Sequence, residues 1–257
     1  GVLRAIAIRV GCNTDEMMAT LVVTSDADRR LRTATRQAIE GAPEAPTSLH
    51  VNVHPKDDGF IFGPETRRIA GPARVREVVN GVSFVVSPTA FFQTNVRAAE
   101  MLARLVLDAV PAGTRVVDLY AGAGLFALPL AKRDHTVIAI EENRAAVADG
   151  QASLRLNRIP PERCRFVAEP VEAALRAIRA ADVVVLDPPR TGCTPAVLEH
   201  VFRRVQPALA IYVSCNPEAL ARDLLSIVRG GYTILSIQPV DMFPHTTHVE
   251  AVVVLTR

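Results

Sequence analysis

The sequence predicts an α/β fold with a mostly parallel sheet flanked by helices, preceded by a smaller α+β region. Three observations carry this. From residue 91 onward, apolar runs that read as strands alternate with runs of helical period, as βαβ units require. The chain closes on two strand-like runs, YTILSIQPV and HVEAVVVLTR, with no helix between them, which implies one antiparallel strand at the end. Residues 1–90 lack the alternation and read as short strands around one helix. Two domains are therefore expected, 1–90 and 91–257. With 49% hydrophobic and 22% charged residues, the 257-residue chain can bury a sizeable core.

Each element has its own signal. In the first region VLRAIAIRV and MMATLVVT predict a pair of strands. Asp28 to Ile39 predicts a helix, GAPEAP breaks the chain, LHVNVH alternates as a strand, and VSFVVS is a strand ended by Pro88. In the second region Asn95 to Val110 predicts a long amphipathic helix stopped by Pro111 and Gly113. Strands TRVVDLY, HTVIAIE, RFVAE, ADVVVLD and ALAIYVS then alternate with helices LFALPLAKR, RAAVADGQASLRLN, VEAALRAIR, PAVLEHVFRRV and PEALARDLLSIVR. No internal repeat or low-complexity tract interrupts them.

Charge and cysteine content narrow the function classes. The 29 basic and 27 acidic residues leave +2, so any nucleic-acid contact must come from a local patch. All basic residues but Lys56 and Lys132 are arginine, for which GC-rich coding is a simpler cause than phosphate recognition. No run of 18 apolar residues exists, so no membrane-spanning helix is expected. The opening GVLRAIAIRV lacks a basic leader and a cleavage site, and it begins with Gly; a piece of a longer protein is expected. The four cysteines, Cys12, Cys164, Cys193 and Cys215, form no C-x-x-C pair. That argues against zinc, an iron–sulfur cluster and a disulfide framework, and fits a reducing, cytoplasmic setting. A monomer is expected.

The turn after TRVVDLY reads DLYAGAGLFA. Gly122 to Ala127 fits the dinucleotide pattern G-x-G-x-x-A, and Glu141 ends the next strand, so a nicotinamide-dependent oxidoreductase is a rival reading. Two features favour another cofactor. Asp118, at the strand end before Gly122 and Gly124, disfavours a pyrophosphate and suits a cationic amino-acid ligand. S-adenosylmethionine carries an ammonium and a sulfonium and no phosphate. Asp187-Pro188-Pro189-Arg190 then makes a rigid, donor-poor loop at the carboxyl edge, where ligands of such sheets bind. Asp118 as a helix cap and Pro188-Pro189 as a mere turn are the bland alternatives.

Ser214-Cys215-Asn216-Pro217 places a cysteine between a strand and a helix N-terminus, where the helix dipole is expected to lower the thiol pKa. The last hairpin carries DMFPHTTHVE, and Glu250 opens an otherwise apolar strand. Burial there is expected to raise its pKa, as suits a proton acceptor; a capping or ion-paired role is the alternative. His245 and His248 flank this acid, but no partner completes a metal site, and hydrogen bonding within the hairpin is expected instead.

FFQTN, DLYAGAG, LDPPR, SCNPEALARD and DMFPHTTHVE occur in that order. Together they resemble the RNA uracil-5-methyltransferases, and the resemblance covers nearly the whole chain. It implies a Rossmann-like class I methyltransferase domain, S-adenosylmethionine as cofactor, and transfer or ribosomal RNA as substrate. It assigns the nucleophile to Cys215, the proton acceptor to Glu250, and cofactor contacts to Gln93, Tyr120, Glu141 and Asp187. Where some members have an Asn in the glycine turn this chain has Leu125. An N-terminal RNA-binding barrel and an iron–sulfur cluster of some members are not visible. Residues 1–90 resemble the central region that helps bind RNA, and Arg67, Arg68, Arg74, Arg76 and Arg190 are candidates for phosphate contact. FFQTN and DMFPHT resemble the branch acting on 23S ribosomal RNA more than the transfer-RNA branch. The resemblance implies base flipping and covalent activation by Cys215. A non-catalytic RNA-binding module is the remaining alternative.

Overall fold

The computed structural model describes residues 2–25, 33, 35–37, 44–56 and 58–257. These divide into two compact units, one of residues 1–78 and 83–91, the other of 79–82 and 92–257.

Among the described residues, the first unit holds a four-stranded sheet in the order β1-β2-β3-β4, from β1 (Leu3–Val10), β2 (Met17–Val23), β3 (Ser48–Val53) and β4 (Glu65–Ala70). β1 and β2 are antiparallel, with Ile6 opposite Leu21. β2 and β3 are parallel, and β3 and β4 antiparallel. β3 lies inside the sheet, and its polar residues are paired rather than solvated. The Asn52 Oδ1 accepts from the Gly63 amide at 2.7 Å, while its Nδ2 donates to the Gly63 carbonyl at 2.9 Å and the Thr66 hydroxyl at 2.8 Å. Of the helix expected over 28–39, residues 33 and 35–37 are described and helical; the rest lies outside the described residues.

Two strands escaped the sequence reading. β4 is rich in charge, because it is an edge strand facing water. β5 (Val75–Val79) pairs with β6 (Val82–Val86) in a hairpin. Its turn is Asn80-Gly81, both at positive φ (48° and 73°), and Asn-Gly between apolar runs was the available signal.

The second unit is built on a seven-stranded sheet. Its strands are β7 (Arg115–Leu119), β8 (Thr136–Ile140), β9 (Cys164–Val167), β10 (Val183–Leu186), β11 (Leu209–Ser214), β12 (Thr233–Val240) and β13 (Glu250–Thr256). The order is β12-β13-β11-β10-β7-β8-β9. Neighbours from β11 through β9 are parallel, and β13 alone runs antiparallel to β11 and β12. The single reversed strand thus inserts between β11 and β12.

Helices form where caps and periodicity agree. α1 (Val96–Ala109) starts at Asn95, whose side chain accepts from the Ala98 amide, and buries Ala99, Leu102, Ala103 and Val106 along one stripe. α2 (Ala127–Lys132) follows the glycine turn. α3 (Arg144–Leu156) is capped by Asn143 on the Ala145 and Ala146 amides. Two predicted helices differ. The run VEAALRAIR is helical only over α4 (Val171–Ala174) and a 3-10 turn, because Ile178 leaves the helix to bury its side chain. PAVLEHVFRRV begins as α5 (Pro195–Glu199) but widens to a π-helix over His200–Val205, ended by Gln206 at φ 51°. α6 (Pro217–Arg229) is capped by Asn216 with Pro217 in its first turn.

Gly124 has φ 91°, and a Cβ there would stand 2.8 Å from the Phe166 ring and 3.0 Å from Leu128. Gly124→Ala adds backbone strain to overpacking, so we expect a loss of about 2–4 kcal/mol. Urea unfolding of the two proteins measures it, and equal midpoints would refute it. No helix among the described residues is long and apolar enough to cross a membrane.

Candidate active site

Strand register assembles the site. β11 pairs with β13 so that Ser214 lies opposite Ala251, which sets the next residues, Cys215 and Glu250, side by side at the carboxyl edge of the parallel strands. Leu186 of β10 pairs with Tyr212 of β11 and with Leu119 of β7, so Asp187 leaves the sheet at the same edge, between Tyr120 and Cys215. Glu141 leaves β8 there too.

Two asparagines bind the loops together. The Asn216 side chain caps α6, accepting from the Glu218 amide at 3.0 Å, and donates to the Arg190 carbonyl at 2.9 Å. It therefore fastens the DPPR loop to the SCNP loop. The Asn95 side chain caps α1 and donates to the Met242 carbonyl at 3.0 Å, joining the FFQTN segment to the last hairpin. Gln93 is half-buried in the segment just before α1, two residues from Asn95. Neither Asn role was anticipated; the signal was an Asn before each helical run.

The glycine turn is committed internally. The Gly122 amide donates to Glu141 Oε2 at 2.9 Å, and the Gly124 amide to the Ala121 carbonyl at 2.8 Å. The other Glu141 oxygen accepts from the Asn143 amide at 2.7 Å. A pyrophosphate would need those amides; here a carboxylate holds one and a carbonyl the other. A Cβ on Gly122, at φ 55°, would meet no atom within 4 Å, so the turn faces open space.

Acidic groups dominate the edge. Asp118 is fully buried and neither carboxylate oxygen has a hydrogen-bond partner. Burial, then Asp187, raises its pKa well above the ordinary range; the nearby Ala127 amide works the other way, and Glu141 adds to the rise. Asp187 is pushed up to about 8 by burial and by Glu250. Glu250, 6% exposed, is raised by burial, with Arg190 pulling it down. An unpartnered buried acid among other acids fits a cation, and the ammonium and sulfonium of S-adenosylmethionine are of that kind.

Cys215 departs from expectation. Its thiol pKa is raised, first by burial, then by Glu250 and Asp187, while Arg190 works the other way. The lowered pKa expected from the adjacent helix N-terminus is not found. We expect iodoacetamide to label Cys215 more slowly at neutral pH than exposed Cys12, with a rate that keeps climbing as the pH is raised. Mass spectrometry of the labelled peptides reads this; a Cys215 profile displaced to low pH would refute it.

Tyr120 adopts φ 62°. Its phenol is half-buried and interacts with the Cys193 thiol, and burial holds its proton on. His245 and His248 are exposed; the His248 amide donates to the Thr246 hydroxyl at 3.2 Å and its ring meets Phe243 edge-on. No group of metal-ligating residues occurs among the described residues. Of the arginines considered for phosphate, Arg67 pairs with Glu65 and Arg76 with Glu16, Arg74 donates to the Ser87 hydroxyl and Arg68 to the Gly71 carbonyl. Arg190 alone bears on the candidate catalytic pair.

The family model described as tRNA (Uracil-5-)-methyltransferase matches residues 75–257. An uncharacterized RNA methyltransferase of Gloeobacter violaceus is 41% identical over 259 residues, covering 100% of this chain and 56% of that protein. A second, from Synechocystis, is 39% identical over 261 residues, covering 99% of this chain and 55% of that one. Among solved structures, the tRNA (uracil-54, C5)-methyltransferase of Pyrococcus abyssi, in complex with S-adenosyl-L-homocysteine, is 30% identical. Its TM-score is 0.82, over 100% of this chain and 60% of that one. The chain spans little more than half the length of the curated relatives it matches.

Proposed function

The chain belongs to the tRNA (uracil-5-)-methyltransferase family, and from that premise we propose that it methylates C5 of a uridine in RNA. Its second unit has the fold of the S-adenosylmethionine-dependent methyltransferases. The observation that carries the reading is the register that opposes Cys215 and Glu250 beside Asp187. Two groups at one edge meet the two needs of this chemistry, a nucleophile and a base.

Uracil C5 is too weak a nucleophile to be methylated unaided. The Cys215 thiolate adds to C6, and the electron pair of the C5–C6 bond moves toward C5 and O4, leaving an enolate. S-adenosylmethionine supplies the electrophilic methyl group. Asp118, Glu141, Asp187, Tyr120, Gln93 and the turn of Gly122 and Gly124, open at Gly122, would hold it. C5 then carries a methyl group and a proton. Glu250 takes that proton, the C5–C6 double bond re-forms, and the thiolate of Cys215 leaves. Asp187, as a neutral acid at pH 7, has a proton to donate toward the polar edge of the base. The pyrimidine reaches this edge only when unstacked, from a loop or by flipping.

The target within RNA has two readings. FFQTN and DMFPHT favour 23S ribosomal RNA, whereas the likeness to a tRNA (uracil-54, C5)-methyltransferase favours transfer RNA. The test supplies methyl-labelled S-adenosylmethionine with unmodified transcripts of each, then digests to nucleosides. Labelled 5-methyluridine from one RNA supports the reading and names the target. Label in another nucleoside, or none from either RNA, sinks it. The committed glycine amides oppose a nicotinamide cofactor, and the Cys215–Glu250 pair opposes a non-catalytic module.

A further inference from the structure

We propose that Asp223, a residue that touches neither the candidate nucleophile nor the base, is a positioning residue that locks the loop 187–193 against the cofactor site. The proposal rests on that site being one for S-adenosylmethionine. Helix α6 and its cap fasten this loop at three points. The Asn216 side chain takes the Arg190 carbonyl at 2.9 Å, an Arg222 Nη2 donates to the Thr191 carbonyl at 2.7 Å, and Asp223 Oδ2 accepts from the Cys193 amide at 2.8 Å. Between them Gly192, at φ 78°, leaves no room: a Cβ would stand 2.5 Å from Asp223 Oδ2. The loop backbone is thus pressed onto the carboxylate itself.

Asp223 is 1% exposed, yet both its oxygens are fully engaged. Oδ2 also accepts from the Tyr212 hydroxyl at 2.7 Å, and Oδ1 from Arg222 Nε and Nη2 at 3.0 and 2.8 Å. Such a satisfied buried network specifies one arrangement. Both ends of the clamped loop reach the cofactor edge. At one end the Asp187 amide donates to the Leu119 carbonyl at 3.3 Å. At the other the Cys193 thiol meets the Tyr120 phenol beside the glycine turn. Freeing the loop therefore moves an acid and an aromatic ring that face the same ligand.

Asn at 223 keeps the shape but has one acceptor where the network needs two, so an NH2 must face a donor. For Asp223→Asn in the 257-residue chain we expect S-adenosyl-L-homocysteine to bind about tenfold more weakly by calorimetry. In methyl transfer, KM for S-adenosylmethionine should rise by a similar factor, with kcat at saturation within about threefold of wild type. A purely structural defect would lower kcat through the folded fraction and leave KM unchanged; that result overturns the proposal. Unchanged S-adenosyl-L-homocysteine affinity in the variant, with a wild type that binds, overturns it alone. A wild type that binds none overturns the cofactor reading and the proposal together. Should Asp223→Asn not fold, Arg222→Ala removes a largely exposed side chain and frees the Thr191 carbonyl. Binding weakened about threefold then supports the clamp, and unchanged binding overturns it.

Discussion

Cys215→Ala should abolish the covalent complex with RNA and lower methyl transfer by on the order of 10^3–10^4-fold or more. The structure explains why no other group substitutes. Cys164 and Cys193 are buried with thiols pushed up to about 12, and Cys12 belongs to the first unit. The side chain at 215 is only partly buried, so removing its sulfur should leave RNA and cofactor binding near wild type. A denaturing gel with labelled RNA reads the adduct, and filter binding reads affinity. An adduct that persisted in Cys215→Ala would end the covalent mechanism.

Glu250→Gln should fail in the opposite way. The amide keeps the shape of the side chain but takes no proton, so attack and methylation proceed and release does not. We expect a shifted, methyl-bearing band on the same gel, and turnover reduced by about 10^2–10^4-fold. The raised pKa of Glu250 comes from burial, and Gln carries no charge to desolvate, so the variant should fold at least as well as wild type. Normal turnover would mean that another base acts. Asp241 and His248, suggested by their place in the hairpin, are exposed. Asp187, whose carboxyl feels Glu250 directly, is the first to test.

The alternation of strands and helices after residue 91 was legible because periodicity is local, and apolar runs such as ADVVVLD and ALAIYVS mark strands buried on both faces. Asn95, Asn143 and Asn216 cap α1, α3 and α6, a local signal that the sequence reading left unused. The candidate residues were legible because chemistry-bearing types sat where apolar strands end. Two kinds of element were hidden. β4 has no apolar run, because an edge strand has little to bury on one side. The π-helical turn after Glu199 could not be told from an α-helix, because both show the same apolar period over a few residues.

By itself, then, the sequence determined the order in which strands and helices alternate after residue 91 and which side chains stand where those strands end; these depend on interactions within a few residues along the chain. It also predicted one reversed strand. Only the tertiary structure decided that this strand, β13, inserts beside β11, and that insertion is what brings Glu250 opposite Cys215. The thiol makes the same point. A helix dipole is a property of the adjacent turn and could be read locally, and it predicted a lowered pKa. Burial and the carboxyl groups of Glu250 and Asp187, which come from other strands, instead push the thiol upward.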